Sequence, residues 1–223
     1  MTRHEYTLVD VFTDRKFGGN QLAVFTDGRG IGGETMHAVA KELLIAEMTF
    51  VLPKEKDGDH KVRIFAPWKE LPFGGHPTVG TTWVLSGGRD GTLKLELGVG
   101  TIGVTVKDGF VEMEQPLPTS GPELYAFTVL DTVQPDSHVH GRMFAPGVGI
   151  PEDPATGSAA GPLGSYLVRH GLARPGQTIV AEQGFEIGRP SFLHIRIDGS
   201  RDDITGVHVG GNVVDVGGGW MDL

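Results

Sequence analysis

The sequence predicts an α+β fold made of two related halves, the second of them shortened. Three observations carry this: strand-like segments outnumber helical ones, both halves hold a glycine-rich and nearly uncharged helix, and one five-residue string occurs twice. Arg63-Ile64-Phe65-Ala66-Pro67 returns as Arg142-Met143-Phe144-Ala145-Pro146. In both copies a Pro/Gly loop, an acidic residue (Glu70, Glu152) and the uncharged helix follow, so order and string together indicate duplication. A break at 117/118 divides the chain into an N-terminal lobe, 1–117, and a C-terminal lobe, 118–223.

Tyr6 to Phe12 nearly alternates apolar and polar residues, and Gly18-Gly19-Asn20 turns the chain into the apolar run Leu22 to Phe25, which reads as two strands. Met36, Val39, Ala40, Leu43 and Leu44 then fall on one helical face, with Glu34 in the first turn. The β-prone run Met48 to Leu52 follows, placing Glu47 at a helix-to-strand junction. After a strand at Lys61 to Phe65, the segment Ala66 to His76 reads as a loop. Pro77 to Leu85 reads as a short buried helix starting near His76, because proline suits a first helical turn. Strands follow at Thr92 to Leu97, Thr101 to Val106 and Phe110 to Glu114, and Pro116 and Pro118 close the first half.

The second half has its helix at about Gly157 to Val168. Strands follow at Thr178 to Glu182, Phe192 to Asp198, Ile204 to Val209 and Asn212 to Val216. Only the 24 residues from Pro118 to Gly141 precede Arg142, against 62 before Arg63. The second lobe therefore lacks counterparts of some opening strands and of the amphipathic helix.

Composition narrows the chemistry. With 19 Lys+Arg against 28 Asp+Glu the formal charge is −9, which argues against binding nucleic acid. No run of apolar residues is long enough to cross a membrane, and the first residues lack a signal peptide's apolar core, so a soluble cytoplasmic protein is expected. Zero cysteines exclude disulfides and thiol mechanisms. Glycine, 35 of 223 residues, is about twice its usual ~7% share, which points to tight turns and close backbone contacts.

Two buried helices starting in glycine-rich loops would, if the two halves face each other, offer free backbone N–H groups and two positive dipole ends to a small carboxylate in one cleft. Gly74-Gly75-His76-Pro77-Thr78 and Glu152 to Ser158 flank those starts. One reading makes His76 and Asp153 proton handlers or substrate ligands, with Thr156, Gly157 and Ser158 donating hydroxyl and amide hydrogens. The other makes Asp153, Thr156 and Ser158 helix caps and His76 a loop filler. Glu47 is either exposed in a turn or a partly desolvated general base whose pKa burial raises. Glu70 and Glu152 are expected to cap or solvate loops. The remaining histidines show no metal-ligand spacing, so no metal site is expected, and Gly18-Gly19-Asn20 and Gly210-Gly211 do not fit a dinucleotide fingerprint, so no nicotinamide or flavin site is expected.

These same segments resemble the PhzF-like family, the phenazine-biosynthesis isomerases and their relatives of the diaminopimelate epimerase fold. The resemblance rests on Val9 to Phe12 with Gly19-Asn20, Ala46 to Phe50, Arg63 to Pro67, Leu71 to Thr78, Gly100 to Ile102, Arg142 to Pro146 and Glu152 to Gly161. It continues through Glu182 to Gly184 and Gly188 to Ser191. Gln21 stands at a usual proline, Leu44 and Ala46 at a usual Asn and Ser, and a stretch between Pro118 and Gly141 is missing.

The resemblance implies two pseudo-symmetric lobes, each a curved, mostly antiparallel sheet wrapped around a central helix, with the active site between them. It implies a cofactor-free isomerase in which Glu47 moves a proton between carbons of a small carboxylate. His76 and Asp153 would assist, Asn20, Gly75, Thr156, Gly157 and Ser158 would line the substrate, and the chain would form a homodimer. A non-catalytic binding protein on the same fold is the alternative, and a hydrolytic Glu47–Asp153 pair a weaker one.

Overall fold

A computed structural model describes residues 2–117, 126–129, 131–146 and 150–223. The strands in chain order are β1 (Arg3–Val11), β2 (Asn20–Phe25), β3 (Glu47–Pro53), β4 (His60–Ala66), β5 (Lys69–Leu71), β6 (Gly91–Leu97), β7 (Gly100–Lys107) and β8 (Phe110–Glu114). Then come β9 (Ala126–Val129), β10 (Val139–Ala145), β11 (Ile150–Asp153), β12 (Thr178–Gln183), β13 (Ser191–Gly199) and β14 (Ile204–Asp222). The helices are α1 (Gly33–Leu43), α2 (Gly75–Ser86) and α3 (Gly157–Arg169).

All strands belong to one mixed sheet. Its pairings run β1-β2-β3-β4-β6-β7-β8-β14, and β14 also pairs with β1, so these strands close on themselves like a barrel. Closure leaves no free edge there. The helix α2 lies inside, touching β1, β2, β3, β6, β7, β8 and β14. It carries no charged residue and is buried from Gly75 through Thr82, as a helix enclosed on every side must be. Its hydroxyls find partners: Thr78 donates to the Gly74 carbonyl at 2.7 Å, Thr82 to the Thr78 carbonyl at 2.9 Å, and Thr81 meets Thr49 at 2.8 Å.

The strands of the first half are apolar on both faces because both are covered. Val9, Val11, Leu22, Val24 and Ile64 belong to the inner core with Val79 of α2. Ala23, Phe25, Met48, Phe50 and Phe65 face outward and meet Met36, Val39 and Ala40 of α1. The chain leaves α1 at Leu44, in the left-handed conformation, and enters β3 directly.

Beyond β14 the sheet continues through β13, β12 and β10 with β11 and β9, and α3 packs on β13 and β14. Among the described residues no pairing returns from that far edge to β14. The expected boundary at 117/118, and much of the stretch from Pro118 to Gly141, lie outside the described residues, as do residues 147–149 of the loop after Pro146.

Three expectations are corrected. The strands expected at Ile204 to Val209 and Asn212 to Val216 are one continuous strand, β14. Gly210 and Gly211 do not turn the chain. They allow close approach: a Cβ at Gly210 would fall 2.5 Å from the Val111 carbonyl oxygen and 2.8 Å from the Phe110 ring, and one at Gly211 2.7 Å from the Phe12 ring. The loop expected over Ala66 to His76 contains β5, a short antiparallel partner of β4. Glu70 and Glu152, expected to cap or solvate loops, instead each accept a bidentate pair. Arg63 donates twice to Glu70 at 2.7 Å, and Arg142 donates to Glu152 at 2.9 and 2.8 Å. These are the arginines of the repeated string, and each pair ties the string to the strand that follows it.

Candidate active site

The two glycine-rich helix starts meet. A Cβ at Gly75 would lie 2.5 Å from the Gly157 carbonyl carbon and 2.7 Å from the Ser158 nitrogen, so only glycine permits this backbone contact. Neither helix is capped by a side chain at Gly74 or Thr156, leaving the first N–H groups and both positive dipole ends directed to one place.

Glu47 opens β3 and its carboxyl turns inward beneath this contact. A Cβ on Gly74 would fall 2.5 Å from Glu47 Oε2, which is buried and has no hydrogen-bond partner. Burial first, and the nearby Asp153 charge second, raise the Glu47 pKa well above the ordinary carboxylate value. The alternative of an exposed turn residue does not hold for Glu47.

Asp153, the last residue of β11, is 7% exposed and is held on both oxygens. Asn20 donates to its Oδ1 at 2.9 Å and Thr156 to its Oδ2 at 2.6 Å. Those bonds favour the charged form, but burial outweighs them and lifts its pKa to about 6. The capping alternative fails here too: the Thr156 hydroxyl serves Asp153, not the N–H groups of α3.

His76 is buried in the first turn of α2. Its ring bonds to the Gln21 backbone, while burial lowers its pKa to about 3, so the imidazole is neutral at physiological pH. Its Nε2 is buried with no partner. Unpartnered buried atoms on Glu47 and His76 are costly unless something else meets them.

The structure thus brings together Glu47, His76, Asp153, Asn20, Gly75, Thr156 and Gly157, and it puts the Ser158 backbone beside Gly75. The Ser158 carbonyl accepts from the Gln115 amide at 2.9 Å. Three further residues organise the site. Gln183 at the end of β12 donates to the Asp153 carbonyl at 2.7 Å and to the Thr156 hydroxyl at 3.0 Å, and accepts from the Thr156 N–H at 3.3 Å. Arg189 donates to Asp10 and to the Gly18 carbonyl, both at 2.6 Å, and to the Gly19 carbonyl at 2.7 Å, fixing the turn that delivers Asn20. Gln115 is the third. A signal existed for Asp10, an acidic residue inside an apolar strand. Gln183 and Arg189 lie in segments that carry the resemblance, Glu182 to Gly184 and Gly188 to Ser191, but no local pattern gave either a role at the site, since a glutamine at a strand end is ordinary.

The chain matches the family of phenazine biosynthesis-like proteins over residues 9–129 and 122–219. The chain belongs to that family. It is 35% identical to a trans-2,3-dihydro-3-hydroxyanthranilate isomerase of Pseudomonas aeruginosa, over 94% of this chain and 96% of that protein. An enzyme of the same name from Pseudomonas chlororaphis is 36% identical over 99% of this chain and all of its own length. A phenazine biosynthesis protein of the PhzF family from Bacillus anthracis superposes with a TM-score of 0.87, covering both chains fully at 20% identity, which establishes the fold. On these grounds the chain is an isomerase.

The missing stretch is also visible in the comparison. About 210 residues, 94% of the chain, spread over 266 aligned positions with the P. aeruginosa enzyme, leaving about 56 positions without a residue. The family match breaks into its two pieces around residues 122–129, inside the stretch from Pro118 to Gly141.

Proposed function

We propose that this isomerase moves a proton between two carbons of a small carboxylate by general acid/base catalysis at Glu47. One observation carries the proposal: a half-buried glutamate whose Oε2 is enclosed and unpartnered, beside a second, buried carboxyl and at two helix starts that no side chain caps. The first N–H groups of α2 and α3, at Gly75, Gly157 and Ser158, cradle the substrate carboxylate. The Glu47 carboxylate takes a proton from carbon, the electron pair shifts along the substrate, and the carboxylic acid returns that proton to another carbon. A raised pKa serves both steps, because it makes the carboxylate a stronger base and keeps the captured proton bound until delivery.

Asp153, oriented by Asn20, Thr156 and Gln183, places charge opposite Glu47, and neutral His76 offers Nε2 to the substrate. The arrangement uses only side chains and backbone of the chain. We also read the closed barrel around α2 and the open sheet on α3 as two related lobes of unequal size. The matching Arg63–Glu70 and Arg142–Glu152 pairs support this.

The named relatives make trans-2,3-dihydro-3-hydroxyanthranilate the first compound to assay. Glu47→Gln should lower its turnover by at least about 10² to 10⁴-fold with folding and ligand binding retained. Turnover at the unmodified rate would remove Glu47 from the mechanism.

A further inference from the structure

Among the described residues, no strand covers one stripe of α3 on the open side of the sheet's second half. Ala159, Leu163 and Tyr166 line it at helical spacing, while the opposite stripe, including Gly161 and Gly164, packs on Val207, Ile195 and Ile197. Between the uncovered stripe and Ala181 of β12 and Leu193 of β13 lies a cavity of about 220 Å³. The wall is mostly apolar; its polar members are Thr156 and Gln183 at the N-terminal end of α3, Arg142 of β10 and the Tyr166 hydroxyl. Those two residues also hold Asp153, so cavity and candidate active site share a wall.

We propose that this cavity is a side pocket for an uncharged apolar group of the substrate, the size of one aromatic ring or a branched aliphatic chain. The position of the carboxylate rests on the reading above; the pocket itself does not. Size supports a ring, since a dry cavity of about 150 Å³ lined by apolar side chains already takes benzene. Charge supports an uncharged occupant. The one cationic residue on the wall, Arg142, is engaged by Glu152 at 2.8 Å and lies 3.8 Å from Glu186. Position supports a carboxylate with an apolar tail. An acid held at the first N–H groups of α3 would have its tail about one helical turn, ~5 Å, further on, beside Ala159 and Leu163. A longer second half would have room to close this side. Among the described residues this side stays open, which admits substrates bulkier at that end than a fully closed second lobe would.

The test is fluorine NMR with two probes, fluorobenzene (ring alone) and 4-fluorophenylacetate (ring and carboxylate). Both should bind the unmodified enzyme, the acid at least about tenfold more tightly because it also reaches the helix start. Leu163→Trp fills the cavity and should weaken both at least about tenfold while the melting temperature holds or rises. If Leu163→Trp does not fold, Ala159→Leu must show the same loss. Fluorobenzene that fails to bind, or that binds the filled variant equally well, overturns the pocket. An acid that binds no more tightly than the bare ring overturns its link to the active site. Glu47→Gln, measured alongside, should bind fluorobenzene normally. Ring binding with full Glu47→Gln turnover therefore defeats the catalytic reading alone, and lost Glu47→Gln turnover without ring binding defeats the pocket alone.

Discussion

Glu47 and Asp153 are carboxyls that burial makes reluctant to ionise, and this has a consequence for stability. For Asp153 the folded pKa, about 6, exceeds the ordinary value of 3.8. The folded state therefore holds the proton more tightly, and the stabilisation is complete below pH 3.8 and lost as pH rises through 6. Asp153→Asn removes the group that must ionise, so its stability relative to the unmodified protein should improve between pH 4 and pH 7, by at most about 3 kcal/mol. Urea unfolding at both pH values checks this; a difference between the two proteins that does not change with pH would contradict the burial of a titrating Asp153. His76 works the other way. Its neutral form is favoured by burial, so its contribution is present above pH 6.5 and lost as pH falls towards 3.

At the scale of elements, the site depends on two helices touching where neither has a side chain. Gly75→Ala would drive a Cβ to 2.5 Å from the Gly157 backbone, where nothing flexible can give way. The helix starts should separate, and a displacement of about 1 Å costs on the order of 10²-fold in activity. Gly103→Ala in β7, whose added methyl meets nothing within 4 Å, is the control and should leave activity unchanged.

Much of this layer was legible in the sequence. The spacing of Met36, Val39, Ala40 and Leu43 marked α1 and the uncharged run after His76 marked α2; the repeated string marked the duplication but not the Arg63–Glu70 and Arg142–Glu152 pairs. What stayed hidden depends on distant partners. Gly210-Gly211 has the composition of a turn, yet it lies within β14, paired with Glu112 and Val111 of β8, and the Val111 carbonyl and the rings of Phe110 and Phe12 crowd it too closely for a side chain. Gln183 acts on residues 27 and 30 positions away, a pairing that no local pattern records. Glu47 could be recognised as unusual at a junction, but whether its carboxyl turned inward depended on Gly74 leaving space.

Over the whole molecule, the first half is tied shut and the second is tied to it. The chain ends meet at the barrel seam, where Thr2 and Leu223 exchange backbone bonds of 2.8 and 2.9 Å. The Arg189–Asp10 pair at 2.6 Å joins β1 to the segment before β13 and fixes the Gly18-Gly19 turn that carries Asn20. Arg189→Ala leaves the buried Asp10 carboxylate without its arginine and should cost about 3 kcal/mol. Because Asn20 loses its anchor, activity should fall even at temperatures where the fold persists. Calorimetry together with an activity assay at low temperature measures both, and full activity in a destabilised variant would separate the clamp from the site.

The central claim is that the buried Glu47 carboxyl carries a proton from one substrate carbon to another across the gap shared with Asp153. Its most direct test is conversion of trans-2,3-dihydro-3-hydroxyanthranilate in deuterated water, with deuterium located in the product by proton NMR. The account predicts product in which the accepting carbon holds transferred hydrogen with partial deuterium from exchange at Glu47, and no product or label with Glu47→Gln. Labelled product forming at an undiminished rate in Glu47→Gln would contradict it.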